Sequence, residues 1–367
     1  MKLRYKITAG LFLTLFLAIS ALALAISYTN ECTPAPTAAA GTESMQSIVY
    51  TCYGSPEVLQ LAEVEKPVPA ADEVLVRVSH ASVNPMDYHY MRGAPYVMRL
   101  MAGLGAPKDI KMGADFAGTV EAVGSEVTRL APGDRVFGAR SGAFGQYVTV
   151  RQDRAVLPIP DGVSAEQTAA LPVAAVTAIQ AIRDKGELKP GQKVLVNGAS
   201  GGVGTYAVQI AKAMGAEVHG VCSGRNVELV KSLGATRVFN YKQEDYTESG
   251  EQYDLIIDNV GNHSALANAR VMTDEGRLVM VGGAKGDWLG PFVGNIMARL
   301  TDPFVPQTYL GLLAILDPVD LAELADMMAA GELRSVIDQR YSLEDTAAAM
   351  TYSESGRVRG KLIIEIP

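Results

Sequence analysis

Apolar residues fall along this 367-residue chain in three textures. Residues 7–27 form an unbroken run of 21 positions without a charge, long enough to cross a bilayer as one helix, and Lys2, Arg4 and Lys6 precede it. From Met45 onward the runs shorten. Segments 47–50, 74–78, 118–123, 134–137 and 146–150 are β-rich and separated by Gly, Pro and Asp, which predicts an all-β, partly barrel-like domain closed by Pro158 and Pro160. Helix-rich stretches follow at 165–181 and 174–182, broken by Pro172. Strands are then predicted at 194–196, 218–221, 237–239, 255–258 and 278–281, with a helix at 227–233. That alternation predicts an α/β unit built on a parallel, doubly wound sheet. Residues 361–366 read as a strand returning to the first domain. The apolar, proline-punctuated stretch 288–316 reads either as core and connector or as a pocket wall or dimer surface.

The stretch that organises the chain is Lys193 to Thr205. A buried-strand pattern, Val194 to Val196, is followed by Gly198, Gly201 and Gly204. Val203, Ala207, Val208, Ile210 and Ala211 then recur with helical period. Strand, glycine turn and helix in that order is the setting in which a glycine triplet binds a dinucleotide. Gly198 permits the tight turn, Gly201 lets backbone approach a pyrophosphate, and Gly204 lets helix and strand pack closely. The helix start, with Ser200, Gly202 and Val203, supplies free N–H groups and a positive dipole end. No Gly-Lys-Ser/Thr follows, which argues against a nucleoside triphosphate loop.

Composition narrows the function. Net charge is −8, and no basic block exists beyond the first six residues, so nucleic-acid binding gains no support. Cys32, Cys52 and Cys222 lie far apart and form no pair motif, so neither a disulfide framework nor a zinc ribbon is expected. Residues 1–28 read as a membrane anchor or signal segment, and 29–44, rich in Ala, Pro and Thr, as a tether. The positive-inside rule places the domain beyond residues 7–27 on the outer face. Scattered cysteines and a cytosolic cofactor argue the other way, and translation from Met45 would yield a soluble, cytoplasmic enzyme.

The chain resembles the medium-chain dehydrogenase/reductase superfamily, in its zinc-free quinone oxidoreductase branch. The motifs that carry the likeness are Tyr53-Gly54-Ser55-Pro56-Glu57-Val58-Leu59, Ser82-Val83-Asn84-Pro85-Met86-Asp87, Gly113-Ala114-Asp115-Phe116-Ala117-Gly118, Leu171-Pro172-Val173-Ala174 with Thr177, and the glycine loop. The resemblance implies a GroES-like catalytic domain over 45–163, completed by about 335–367, around a Rossmann domain over 164–334. It implies an active site between them and, as a family expectation, a homodimer.

Zinc-dependent relatives place Gly-His-Glu where Gly113-Ala114-Asp115 stands, and a cysteine ligand within 82–87. A catalytic zinc needs three protein ligands, and His80, His89, His219 and His263 have no ligand spacing. No metal is expected, and Asp115 reads as a structural turn residue. The second Rossmann strand ends in Ser223-Gly224-Arg225 without the carboxylate that binds an NAD ribose. Arg225 suits a 2′-phosphate, with Ser223 and Tyr241 beside it, so the expected cofactor is NADPH. The resemblance adds Thr177, Asn259, Gly282 and Lys361 as cofactor contacts. Without a zinc Lewis acid, the chemistry suits hydride transfer to an acceptor that is already electrophilic, a quinone or an enone. Asn84 is the leading donor to the developing oxygen charge, with Tyr53 and Tyr90 behind it and Asp87 orienting the loop. An NADPH-binding, membrane-tethered scaffold or redox sensor with little turnover is the alternative.

Overall fold

The computed structural model describes residues 2–283, 286–288, 290, 293–294, 296, 301 and 305–367, with side chains placed from Thr14 onward. Two sheets carry the molecule. The first takes β3 (Glu73–Val83), β4 (Asp115–Val123), β5 (Arg135–Ala139), β7 (Val156–Pro158), β14 (Ile337–Ser342) and β15 (Lys361–Glu365) in the order β14-β15-β3-β4-β5-β7. β6 (Tyr147–Arg151) pairs with β3 alongside. A separate hairpin joins β1 (Ser44–Val49) to β2 (Gln60–Glu65). The tail strand β15 lies antiparallel to β3, Leu362 opposite Val83, so the chain end does return to the first sheet.

The second sheet has six parallel strands: β8 (Lys193–Asn197), β9 (Glu217–Cys222), β10 (Arg237–Asn240), β11 (Tyr253–Asp258), β12 (Met272–Met280) and β13 (Thr308–Gly311). Their order is β10-β9-β8-β11-β12-β13. Successive strands run outward from β8 in one direction, then from β11 in the other. The switch between β8 and β11 opens a crevice at the carboxyl ends of the strands, where such sheets bind ligands. Val194, Leu195 and Val196 are fully buried, as are Ile256 and Ile257, because helices cover both faces of a parallel sheet. Helix Gly202–Ala213 buries Ala207, Val208, Ile210 and Ala211 on it, the face that the periodicity gives. β13 falls inside the stretch 288–316, part of which lies outside the described residues.

The N-terminal segment departs from expectation. Lys2–Ser27 is a 26-residue helix, but among the described residues no helix is long and apolar enough to cross a membrane. The expected span over 7–27 therefore gains no support, and the side chains of 7–13 lie outside those described. Nor is 29–44 a free tether. Asn30 N–H donates to the Gly105 carbonyl, Thr33 exchanges hydrogen bonds with the Thr51 hydroxyl, and Ala38 N–H donates to the Glu63 carbonyl. Cys32 and Cys52 form a disulfide with 4.8 Å between their Cα atoms, which corrects the expectation of unpaired cysteines. Twenty residues separate the two, and only the strap lying alongside 50–53 brings them together.

Candidate active site

The first sheet ends against the glycine loop. Asn84 follows β3, and Asp87 stands three residues on in helix Pro85–Arg92. Asp115 opens β4 and Lys361 opens β15. Neighbouring strands thus deliver three polar side chains to one point, with Ser82 opposite Asp115 in the β3–β4 register. All five residues are buried.

Asp115 is the hub. One carboxylate oxygen accepts from Ser82 Oγ at 2.9 Å, from Asn84 Nδ2 at 2.8 Å and from Lys361 Nζ at 3.5 Å. The other accepts from the Val173 N–H at 3.1 Å. The expectation of a turn residue is corrected: Asp115 begins a strand and compensates a buried ammonium. Lys361 Nζ also donates to Asn84 Oδ1. Since a lysine only donates and a carboxylate only accepts, the Asn84 amide has one permitted orientation. Burial lowers the Lys361 pKa, opposed by Asp115 and Asp87. A buried charge of this kind persists only when paired and hydrogen-bonded.

Asp87 Oδ2 accepts from the Asn84 N–H at 2.7 Å. Burial pushes its carboxyl up from 3.8 to about 7, against the lowering effect of that hydrogen bond. Between those two values the folded protein holds a proton that the unfolded chain has released. Asp87 therefore contributes stability that is full below the unfolded value and lost as pH rises through the folded one. Asp87→Asn keeps an acceptor for Asn84 and cannot ionise. Its melting temperature should fall less than that of the wild type as pH rises from about 4 to about 7. Parallel curves would place the titration elsewhere.

Lys361 also joins this cluster to the glycine loop. Gly360 N–H donates to the Ser200 carbonyl, and a Cβ on Gly202 would stand 3.3 Å from Lys361 Cδ. Gly198 has φ +78°, a left-handed turn, and a Cβ on Gly204 would lie 2.2 Å from the Gly198 carbonyl oxygen. Only glycine fits so close an approach. Gly201 caps helix Gly202–Ala213 without a side chain, and a Cβ there would meet nothing nearer than 3.5 Å. Its outer face is open to a ligand at the helix N-terminus.

The remaining candidates stand around this point, with two exceptions. Thr177 lies one turn beyond Val173 and donates to its carbonyl at 2.7 Å. Asn259 follows β11 and donates to the Asn197 carbonyl, while a Cβ on Gly282 would sit 2.1 Å from the Asn259 carbonyl oxygen. Ser223 and Arg225 follow β9 and Tyr241 follows β10. The pairing of Asn240 with Cys222 sets these tips side by side. Arg225 donates to the Arg357 carbonyl. Tyr53 is engaged elsewhere: its hydroxyl donates to the Gly103 carbonyl at 2.8 Å, and its ring carries the Arg99 guanidinium. Tyr90 is exposed, on the helix leading away from Asn84.

Sequence reasoning missed Asn226, whose amide nitrogen donates to Ser200 Oγ at 2.9 Å and Ser223 Oγ at 3.3 Å. Its position after the strand tip was the available signal. Asn226 Oδ1 and Asn259 Oδ1 are buried without a partner. Together with the uncapped helix start, these orphaned acceptors beside an open glycine face fit a nicotinamide dinucleotide.

Two sheets, a glycine loop at the switch point and a buried cluster of ionisable groups fit an oxidoreductase with a nicotinamide cofactor and a small-molecule substrate. Residues 70–161 match the family described as an alcohol dehydrogenase GroES-like domain, and residues 233–364 the family described as a zinc-binding dehydrogenase. A zinc-type alcohol dehydrogenase-like protein of Schizosaccharomyces pombe is 34% identical over 309 residues, 80% of this chain and 87% of that protein. A quinone oxidoreductase of Pseudomonas aeruginosa is 32% identical over 330 residues, 86% of this chain and 98% of that one. Among solved structures, Escherichia coli quinone oxidoreductase complexed with NADPH matches with a TM-score of 0.76 at 26% identity, covering 87% of this chain and 99% of that one. The chain belongs to the medium-chain dehydrogenase/reductase superfamily, in its quinone oxidoreductase-like branch.

The description of one matching family raises zinc, and the residues present do not fit it. The carboxylate of Asp115 is taken up by Ser82, Asn84, Lys361 and the Val173 amide. Lys361 Nζ stands 3.5 Å from that carboxylate, and an ammonium there repels a second cation. Among the described residues no three His, Cys, Asp or Glu side chains converge.

Proposed function

We propose that this protein is an NADPH-dependent reductase of quinones or enones that works without zinc. The observation that carries the proposal is the buried Asn84–Asp115–Lys361 cluster set directly against the glycine loop. The nicotinamide supplies the hydride. The N–H groups at the start of helix Gly202–Ala213 hold the diphosphate. Arg225, with Ser223 and Tyr241, receives in its planar fork the 2′-phosphate, a group that a carboxylate at this strand tip would repel. The NADPH complex of the Escherichia coli relative supports this choice. Thr177, Asn259 and Gly282 shape the wall along which the dinucleotide lies. Lys361, which keeps one N–H beyond its bonds to Asn84 and Asp115, turns its ammonium to the oxygen that gains charge on the acceptor. Asn84, its amide taken up by Asp115, Ser82 and Lys361, positions that ammonium instead of donating itself, and Asp87 holds a proton near neutral pH beside them.

The N-terminal helix, free of charge from 7 to 27, we take as a membrane attachment. The test uses the full chain, with NADPH and NADH against quinones, enones and aldehydes. NADPH oxidation by quinones or enones is expected. Saturable NADPH binding without oxidation on any acceptor would reject the enzyme in favour of a scaffold. Asn84→Ala frees Lys361 Nζ from its fixed position and should lower turnover by up to about a hundredfold, the scale of misplacing a catalytic group by an ångström, with NADPH affinity near normal. Unchanged turnover would remove Asn84 from the mechanism.

A further inference from the structure

Beyond the cleft, one surface exposes a run of large apolar side chains, the kind of patch that marks an interaction site. It begins on the N-terminal helix, where Leu15, Phe16, Leu17, Ile19, Leu22 and Leu24 are all more than half exposed. At 100° per residue these six positions cover all of the helix but one arc of about 140°, and that arc carries the exposed Ala18, Ala21 and Ala25. The surface continues onto helix Arg99–Ala102 and its flanks, where Val97, Leu100, Met101 and Leu104 are exposed, Met101 by 85%.

The two parts are fastened together. The buried Arg99 guanidinium donates to the carbonyls of Ile26, Ser27 and Tyr28 and to the Thr29 hydroxyl. It packs on the rings of Tyr53 and Tyr96. Trp288, 48% exposed, stacks edge-on against Tyr96 with ring centroids 5.1 Å apart. Tyr28 is exposed at the junction of the two parts.

We propose that Val97, Leu100, Met101 and Leu104, with Trp288 at their edge, form a docking surface for a lipid bilayer, continuous with the apolar N-terminal helix. A protein partner covers one side of a helix, and this helix is apolar on all sides, so the occupant must surround it, as lipid does. Tyr and Trp at the border of an apolar surface are what a membrane–water interface selects. The Arg99 clamp and the strap keep helix and patch in one orientation, so both meet the same surface. Helix Pro85–Arg92 leads from Asn84 toward this patch, a length of about 12 Å at 1.5 Å per residue. Docking would therefore set the catalytic cleft close to the lipid.

The chain contains a single tryptophan, which makes the proposal measurable without any assay of turnover. Full-length protein is mixed with phosphatidylcholine–phosphatidylglycerol vesicles whose acyl chains carry bromine. Trp288 emission should fall about twofold, as expected for a ring seated at the headgroup boundary within reach of the brominated carbons. The double variant Leu100→Glu/Met101→Glu should recover most of that emission while still floating with the vesicles through its helix. Its melting temperature and cofactor binding should be unchanged. Flotation of the wild type with unquenched Trp288 would overturn the patch and leave only the helix as attachment. Failure to float would overturn both. Shielding of Trp288 that grows with protein concentration in the absence of vesicles would overturn the lipid in favour of a second copy of the chain.

Discussion

Lys361→Met should destabilise the protein by about 3–5 kcal/mol, the usual cost of stranding one partner of a buried ion pair, and should abolish turnover. Lys361 is the ammonium that faces Asp115, and neither group reaches water. Removing it leaves a carboxylate that Ser82, Asn84 and the Val173 amide solvate but do not neutralise. Lys361→Met combined with Asp115→Asn removes both charges, and the double variant should recover most of the lost stability. It should not recover activity, because the ammonium beside the glycine loop is still missing. Urea unfolding of the four proteins measures the coupling. Additive losses would mean that Lys361 and Asp115 are not energetically paired.

Arg225→Asp should raise the KM for NADPH by roughly ten- to hundredfold, the loss of one charge-assisted hydrogen bond at about 1.5–3 kcal/mol. NADH should be affected little, since a carboxylate at this tip suits a free ribose hydroxyl. The relevant quantity is the ratio of kcat/KM for the two cofactors, which cancels any general damage to the enzyme. Arg225 is tied to the C-terminal segment through the Arg357 carbonyl, so part of the effect will appear as a looser segment 355–359. Equal losses for both cofactors would show that this positional role is the whole of what Arg225 does.

What could be read from the sequence, and what could not, follows from the range of the interactions involved. The glycine loop was legible because its demands are local. Gly198 needs a left-handed backbone and Gly204 needs contact with a residue six positions earlier. The parallel strands were legible because burial on both faces makes them uniformly apolar, although β13, inside a proline-punctuated stretch, was not. Asn84 and Lys361 were each suggested by resemblance, but their contact spans 277 residues and depends on the tail strand joining β3. Asp115 was misread because it follows Gly113, which does make a turn at φ +85°. The sequence alone does not say that the strand starts two residues later. The disulfide was missed for a similar reason. A 20-residue separation without a motif acquires meaning only when the strap lies against the hairpin.

That disulfide also sets a length scale. Cys32 lies five residues past the end of the helix at Ser27, a leash of about 17 Å when fully extended. Without the bond, and with the strap detached, the leash would run to Ser44, where β1 begins, and reach about 60 Å. The volume that the catalytic body can explore around a fixed helix grows as the cube of that reach. Once the Arg99 clamp and the strap's hydrogen bonds open, the disulfide therefore keeps the effective concentration of the catalytic body at a surface beside the helix higher by a factor on the order of forty.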